Sequence, residues 1–71
     1  MIKKYFKLKR KDIALVQFII EGYEGMATVT TMDSHAAIIQ ISITPDFVQE
    51  ITDVMESLKN KYQLEEIKSL Q

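Results

Sequence analysis

At Pro45 the spacing of apolar residues changes from two to between three and four. Ahead of it, Ala37, Ile39, Ile41 and Ile43 take alternate positions in a segment running from Ala36 to Ile43. Ile38, Gln40 and Ser42 fall on the other side, which is the pattern of a strand with one buried face. After the proline, Phe47, Ile51, Val54, Met55, Leu58 and Tyr62 recur at the period of an amphipathic helix, with Asp53, Glu56, Lys59 and Asn60 on the solvated side. Thr44-Pro45-Asp46 makes the junction. Thr44 can cap, Pro45 suits a first helical position where its missing N–H costs nothing, and Asp46 complements the helix dipole. A chain that changes period this abruptly packs a helix against a sheet.

The same periodicities extend toward the N-terminus. Ile2 to Lys9 alternates, with Ile2, Phe6 and Leu8 on one side and Lys3, Tyr5, Lys7 and Lys9 on the other; Lys4 is out of pattern. Asp12 as N-cap and Gly22 as a left-handed C-terminal residue bracket a helix of about ten residues, despite its β-branched content. On a helical wheel only Ala14, Gln17 and Glu21 form a solvent edge, so the apolar arc is wider than a surface helix usually shows. Gly22-Tyr23-Glu24-Gly25 is a turn leading into a strand from Met26 to Met32. Ala27, Val29 and Thr31 should face its core, with Met26, Thr28, Thr30 and Met32 outward. Asp33-Ser34-His35 joins that strand to the next as an antiparallel hairpin.

Residues 63–71 allow two readings. Leu64, Ile67 and Leu70 recur at three, which fits another helical turn or a frayed end; a short strand around Leu64–Lys68 is the alternative. The element order is then β-α-β-β-α(-β), the ferredoxin-like α+β pattern: an antiparallel sheet with two helices on one face and the first strand at its centre.

Seventy-one residues suit a single domain, residues 1–71, and its core alone contributes no more than roughly 3–5 kcal/mol. Without cysteine there is no disulfide, thiolate zinc site or iron–sulfur cluster to reinforce it. A partner chain covering apolar surface would supply what the core lacks. The run from Ile13 to Ile20 is shorter than the ~20 residues of a membrane span, and the basic N-terminus lacks a signal-peptide pattern. A cytoplasmic location and no membrane contact are the expectations. The formal net charge of −1 argues against a general nucleic-acid binder. It is unevenly distributed, however. Lys3, Lys4, Lys7, Lys9, Arg10 and Lys11 give residues 1–11 a charge of +6, whereas three bases and ten acids give the rest −7.

The segment Glu21-Gly22-Tyr23-Glu24-Gly25-Met26-Ala27-Thr28-Val29-Thr30-Thr31-Met32-Asp33 resembles the central signature of an uncharacterised family of short bacterial proteins. The resemblance extends over nearly the whole chain, including Asp12 and Thr44-Pro45-Asp46. It implies a fold and no assigned activity, substrate or catalytic residue. The element order also resembles regulatory domains of the ACT type, which place an Asp-x-Pro-Gly-like turn near their effector. Here the corresponding junction reads Lys9-Arg10-Lys11-Asp12, without proline or glycine.

No set of residues points to catalysis. His35, the only histidine, reads as a turn residue beside Asp33 and Ser34, and a lone histidine is a poor metal site. No enzyme activity, metal or cofactor is therefore expected. Glu21, Gly22, Tyr23, Glu24 and Gly25 are the candidate ligand-binding residues, for a small-molecule effector in an ACT-like sensing role. Gly22-x-x-Gly25 has the spacing of a KH-type backbone clamp, but Glu21 and Glu24 would repel phosphate. The basic first strand could bind RNA weakly; one tyrosine, with Ile38, Gln40 and Ser42 on the neighbouring strand, does not make a base-stacking platform. Tyr5, Lys7, Met26, Met32 and Ile38 form the candidate interface, since methionines and lysine stems suit an adaptable contact surface. The leading expectation is a non-catalytic binding domain acting as a homodimer or with a protein partner.

Overall fold

The computed structural model describes residues 1–68. Strands β1 (Ile2–Lys7), β2 (Ala27–Asp33), β3 (Ile38–Ile43) and β4 (Glu65–Ile67) alternate with helices α1 (Ile13–Glu21) and α2 (Val48–Tyr62) in the order β-α-β-β-α-β. The strands form one sheet in the order β2-β3-β1-β4, with every neighbouring pair antiparallel. This is the ferredoxin-like α+β topology, with β1 central. Of the two readings of the tail, the short strand is the one observed; Leu70 lies outside the described residues.

Burial follows the alternation of the two central strands. Ile39, Ile41 and Ile43 of β3 have no exposed surface, and Phe6 on β1 is nearly as enclosed. They share one core with Val16 and Ile20 of α1 and with Ile51, Met55 and Leu58 of α2. Both helices therefore cover the same face. Burying side chains of this size contributes roughly 1.5–3 kcal/mol each before the entropy of ordering the chain is subtracted. Across the top of the sheet, Lys59 lies 3.1 Å from Glu56 and 3.6 Å from Glu66, with its ammonium 5.9 Å from the centre of the Phe6 ring. The hydrogen bond to Glu56 chiefly, aided by Glu66, raises the Lys59 pKa. This contact ties the short β4 to the last turns of α2.

Several local expectations are corrected. Gly22 is right-handed (φ −66°), because it completes α1 by donating its N–H to Phe18. Among the described residues, the left-handed ones are Gly25, Ala37 and, at the end of α2, Gln63. Neither Asp12 nor Thr44 caps through its side chain. Each helix is instead entered through a 3₁₀ turn, Arg10–Asp12 or Pro45–Phe47, so α2 begins at Val48. Thr44 donates its hydroxyl to the Gly25 carbonyl at 2.9 Å. Met26 precedes β2 and packs half-buried against the core instead of facing outward. Thr31 is exposed, since it borders a bulge on an edge strand, and Ile2, at the start of β1, is 40% exposed. Ala36 and Ala37 belong to the turn before β3.

The strained helix end gives a stability test. Gln63 is exposed and has φ +55°, where a side chain costs energy that glycine avoids. Gln63→Gly is expected to raise the unfolding free energy by about 0.5–1 kcal/mol after glycine's extra unfolded-state entropy is deducted. Urea denaturation with an unchanged slope would measure it.

Candidate functional site

Two helices on one face leave the other face of the sheet open, and strand register arranges that face in rows. Tyr5 on β1 lies between Gln40 on β3 and Ile67 on β4, with Thr30 on β2 beyond Gln40. In the next row Lys7 lies between Ile38 and Glu65, and on the other side of the Tyr5 row Lys3 is opposite Ser42. Tyr5, Ile38, Gln40, Ser42 and Ile67 are half-buried although, among the described residues, no layer covers them. Met32 sits in the bulge between Thr31 and Asp33 and is 43% exposed. The register thus brings Tyr5, Lys7 and Ile38 together, with Met32 at the edge and Met26 turned to the core. Glu65 opposite Lys7 interrupts the basic strand with an acid, a pairing concealed in the sequence by the ambiguity of the tail.

The Glu21–Gly25 segment is held by bonds within the fold. Glu21 Oε2 accepts the Val29 N–H at 3.1 Å, while Oε1 accepts Gln17 Nε2 at 3.4 Å. Since β2 is an edge strand, the carboxylate occupies a backbone donor that another strand could otherwise use. Tyr23 N–H donates to Ile20, and Met26 N–H donates to Tyr23. Gly25 has φ +79°, a conformation that favours glycine. Tyr23 and Glu24 are exposed on this turn. Among the described residues, no cavity opens and no three acidic or histidine side chains gather.

A third surface lies on α1. Its core side is Val16 and Ile20, supported by half-buried Ile13 and Ile19. Its outer side carries Ala14, Leu15, Phe18 and Glu21, whereas Gln17, expected at the solvent edge, is half-buried. Phe18 is 77% exposed and Leu15 45%. The wide apolar arc of the sequence is therefore more than the core takes up.

At the hairpin turn, Asp33 Oδ1 accepts the N–H groups of His35 and Ala36, each at 3.0 Å. Arg10 donates to the His35 carbonyl at 3.2 Å, joining the β1–α1 connection to the β2–β3 turn. His35 thus occupies a turn stabilised by its neighbours' polar groups.

Residues 6–61 match the family model described as a domain of unknown function (DUF4911). The chain belongs to that family. No curated protein and no solved structure matches it. The DUF4911 match includes the Glu21–Gly25 turn, the exposed strip of α1 and the bulge at Met32, and it ends before β4. The Leu15–Phe18 surface is the feature that sequence reasoning underused. Its signal was the excess width of the apolar arc, which counts apolar residues without showing how many of them the sheet covers.

The Asp33 turn of this DUF4911 domain should respond to acid. The Ala36 N–H foremost, then the His35 N–H and charge, hold the Asp33 carboxyl below its ordinary range, partly opposed by desolvation. Its contribution is complete above the unfolded-state value of about 4 and is lost as pH falls through the lower folded value. Asp33→Asn keeps an oxygen acceptor but does not titrate. The variant should therefore lose stability less steeply than the parent below about pH 4, in thermal melts collected across an acid series.

Proposed function

We propose that this DUF4911 domain is a non-catalytic cytoplasmic binding module that works by protein–protein contact, in a homo-oligomer or with a protein partner. The exposure of Phe18 and Leu15 on one side of α1 carries this reading. Scattered surface hydrophobics are ordinary, but here a large aromatic and a leucine lie one helical turn apart on the same strip. In a chain with so small a core, covering them adds apolar burial the isolated fold lacks. On the opposite side of the molecule, Tyr5, Lys7, Ile38 and Met32 offer a second contact surface with an apolar centre and lysine stems around it.

Sedimentation equilibrium of the full chain, at loadings from micromolar to millimolar, tests self-association. The weight-average mass should rise with concentration toward that of a dimer. A chain that stays monomeric at every loading removes the homo-oligomer and leaves only a heterologous partner.

A further inference from the structure

The charges at the two ends of α1 oppose its dipole. A helix is stabilised by acids near its N-terminus and bases near its C-terminus. The first turn of α1 contains no acid and its last turn no base. Lys9, Arg10 and Lys11 instead lie at or just before the 3₁₀ turn that leads into it, and Glu21 and Glu24 lie at its far end, with Asp12 alone on the favourable side. The strip between those ends is Lys11, Ala14, Leu15, Phe18 and Gly22, all exposed. Leu15, Phe18 and Gly22 follow one another at steps of three and four, the spacing of a helix–helix seam, and Lys11 lies in the 3₁₀ turn that leads into it. Small Ala14 and Gly22 flank Phe18 on the same side and leave room for a neighbour.

We infer that two copies of this chain associate through antiparallel α1 helices about a two-fold axis, Leu15 and Phe18 of each packed at the centre and Lys11 of each facing Glu24 of the other. This rests on the self-association reading above and specifies its surface and geometry. A second copy is the occupant that the charges select. Turned end for end, its acidic terminus meets the basic terminus of the first, and the same match recurs on the other side of the axis. The two helix dipoles then also oppose each other favourably. A parallel pair would place Lys11 against Lys11. Glu24 is the acid assigned because Glu21 is already engaged with Val29 and Gln17. Two Phe18 and two Leu15 side chains bury on the order of a few hundred Å², less than the roughly 1,200 Å² at the lower end of stable interfaces. The expected dimer is therefore weak and dissociates readily on dilution.

Sedimentation equilibrium on the parent, Phe18→Glu, Asn60→Lys, Tyr5→Glu, Lys11→Glu and Glu24→Lys chains tests the geometry, with circular dichroism confirming that each is folded. All the substituted positions are on the surface or the open sheet face. Phe18→Glu should abolish the dimer, and a control on the exposed side of α2, Asn60→Lys, should leave it intact, while Tyr5→Glu reports on the sheet face. Lys11→Glu and Glu24→Lys each place like charges at both ends of the pair, so each alone should weaken association by about tenfold or more. Mixed one to one, they should associate again, because the mixed pair restores opposite charges at both ends. A parent that dimerises but is disrupted by Tyr5→Glu and not by Phe18→Glu would place the contact on the sheet, overturning this geometry while the self-association reading stands. Failure of the mixture to recover would overturn the antiparallel register. A parent that is monomeric at every loading would overturn both.

Discussion

Everything else in this fold follows from burying one side of β3. Ile39, Ile41 and Ile43 are fully enclosed, and enclosing them requires both helices on the same side of the sheet. Among the described residues, no element covers the opposite side. That face is open, and its half-buried Tyr5, Ile38 and Ile67 are neighbours across the strands. The open surface is thus a geometric result of where the isoleucines alternate.

The same constraint divides α1. A nine-residue helix can present only about one face to the sheet, and Val16 and Ile20 fill it. Leu15 and Phe18 lie around the helix from them, so much of Leu15 and most of Phe18 stays uncovered by the fold. Glu21 at the end of α1 has a use within it: by accepting the Val29 N–H it both fixes the helix against β2 and reduces the edge's capacity to pair with another strand. Self-association through the outer side of α1 is compatible with that protected edge, whereas strand addition along β2 would compete with Glu21 for Val29.

Periodicity makes the architecture legible in the sequence: the alternation of β3, the long period of α2 and the proline between them determine the layers. Signals carried by single residues transferred less well. Gly22 and Asp12 have the right composition for helix ends, yet the backbone is satisfied there by a continued turn and a 3₁₀ entry. Gln63 carries the left-handed conformation that composition would assign to glycine. Thr44 chose a tertiary acceptor, the Gly25 carbonyl, over a local one, and no sequence pattern encodes that pairing across nineteen residues. Of the surface residues, Tyr5, Lys7 and Ile38 could be placed together from alternation alone. Met26 could not, because the turn before β2 sets its direction, and Thr31 lost its core position to a bulge.

Charge shows why the arrangement along α1 matters more than the total. The +6 of the first eleven residues splits three ways in the fold, with Lys4 opposite Ile41 on the other side of β1 from Lys3 and Lys7. Lys3 and Lys7 go to the open face, where Glu65 stands opposite Lys7 and moderates the field. Lys9, Arg10 and Lys11 go to the start of α1, with Glu21 and Glu24 at its end. For a lone helix that polarity is a cost, since each end repels its own partial charge. The cost changes sign when a second α1 runs alongside in the opposite direction, because every unfavourable end then faces its complement. An apolar strip alone would accept many partners. Unfavourable charge at both of its ends narrows the choice to a surface with the reverse polarity at the same spacing, and the chain itself, rotated by half a turn, supplies that surface.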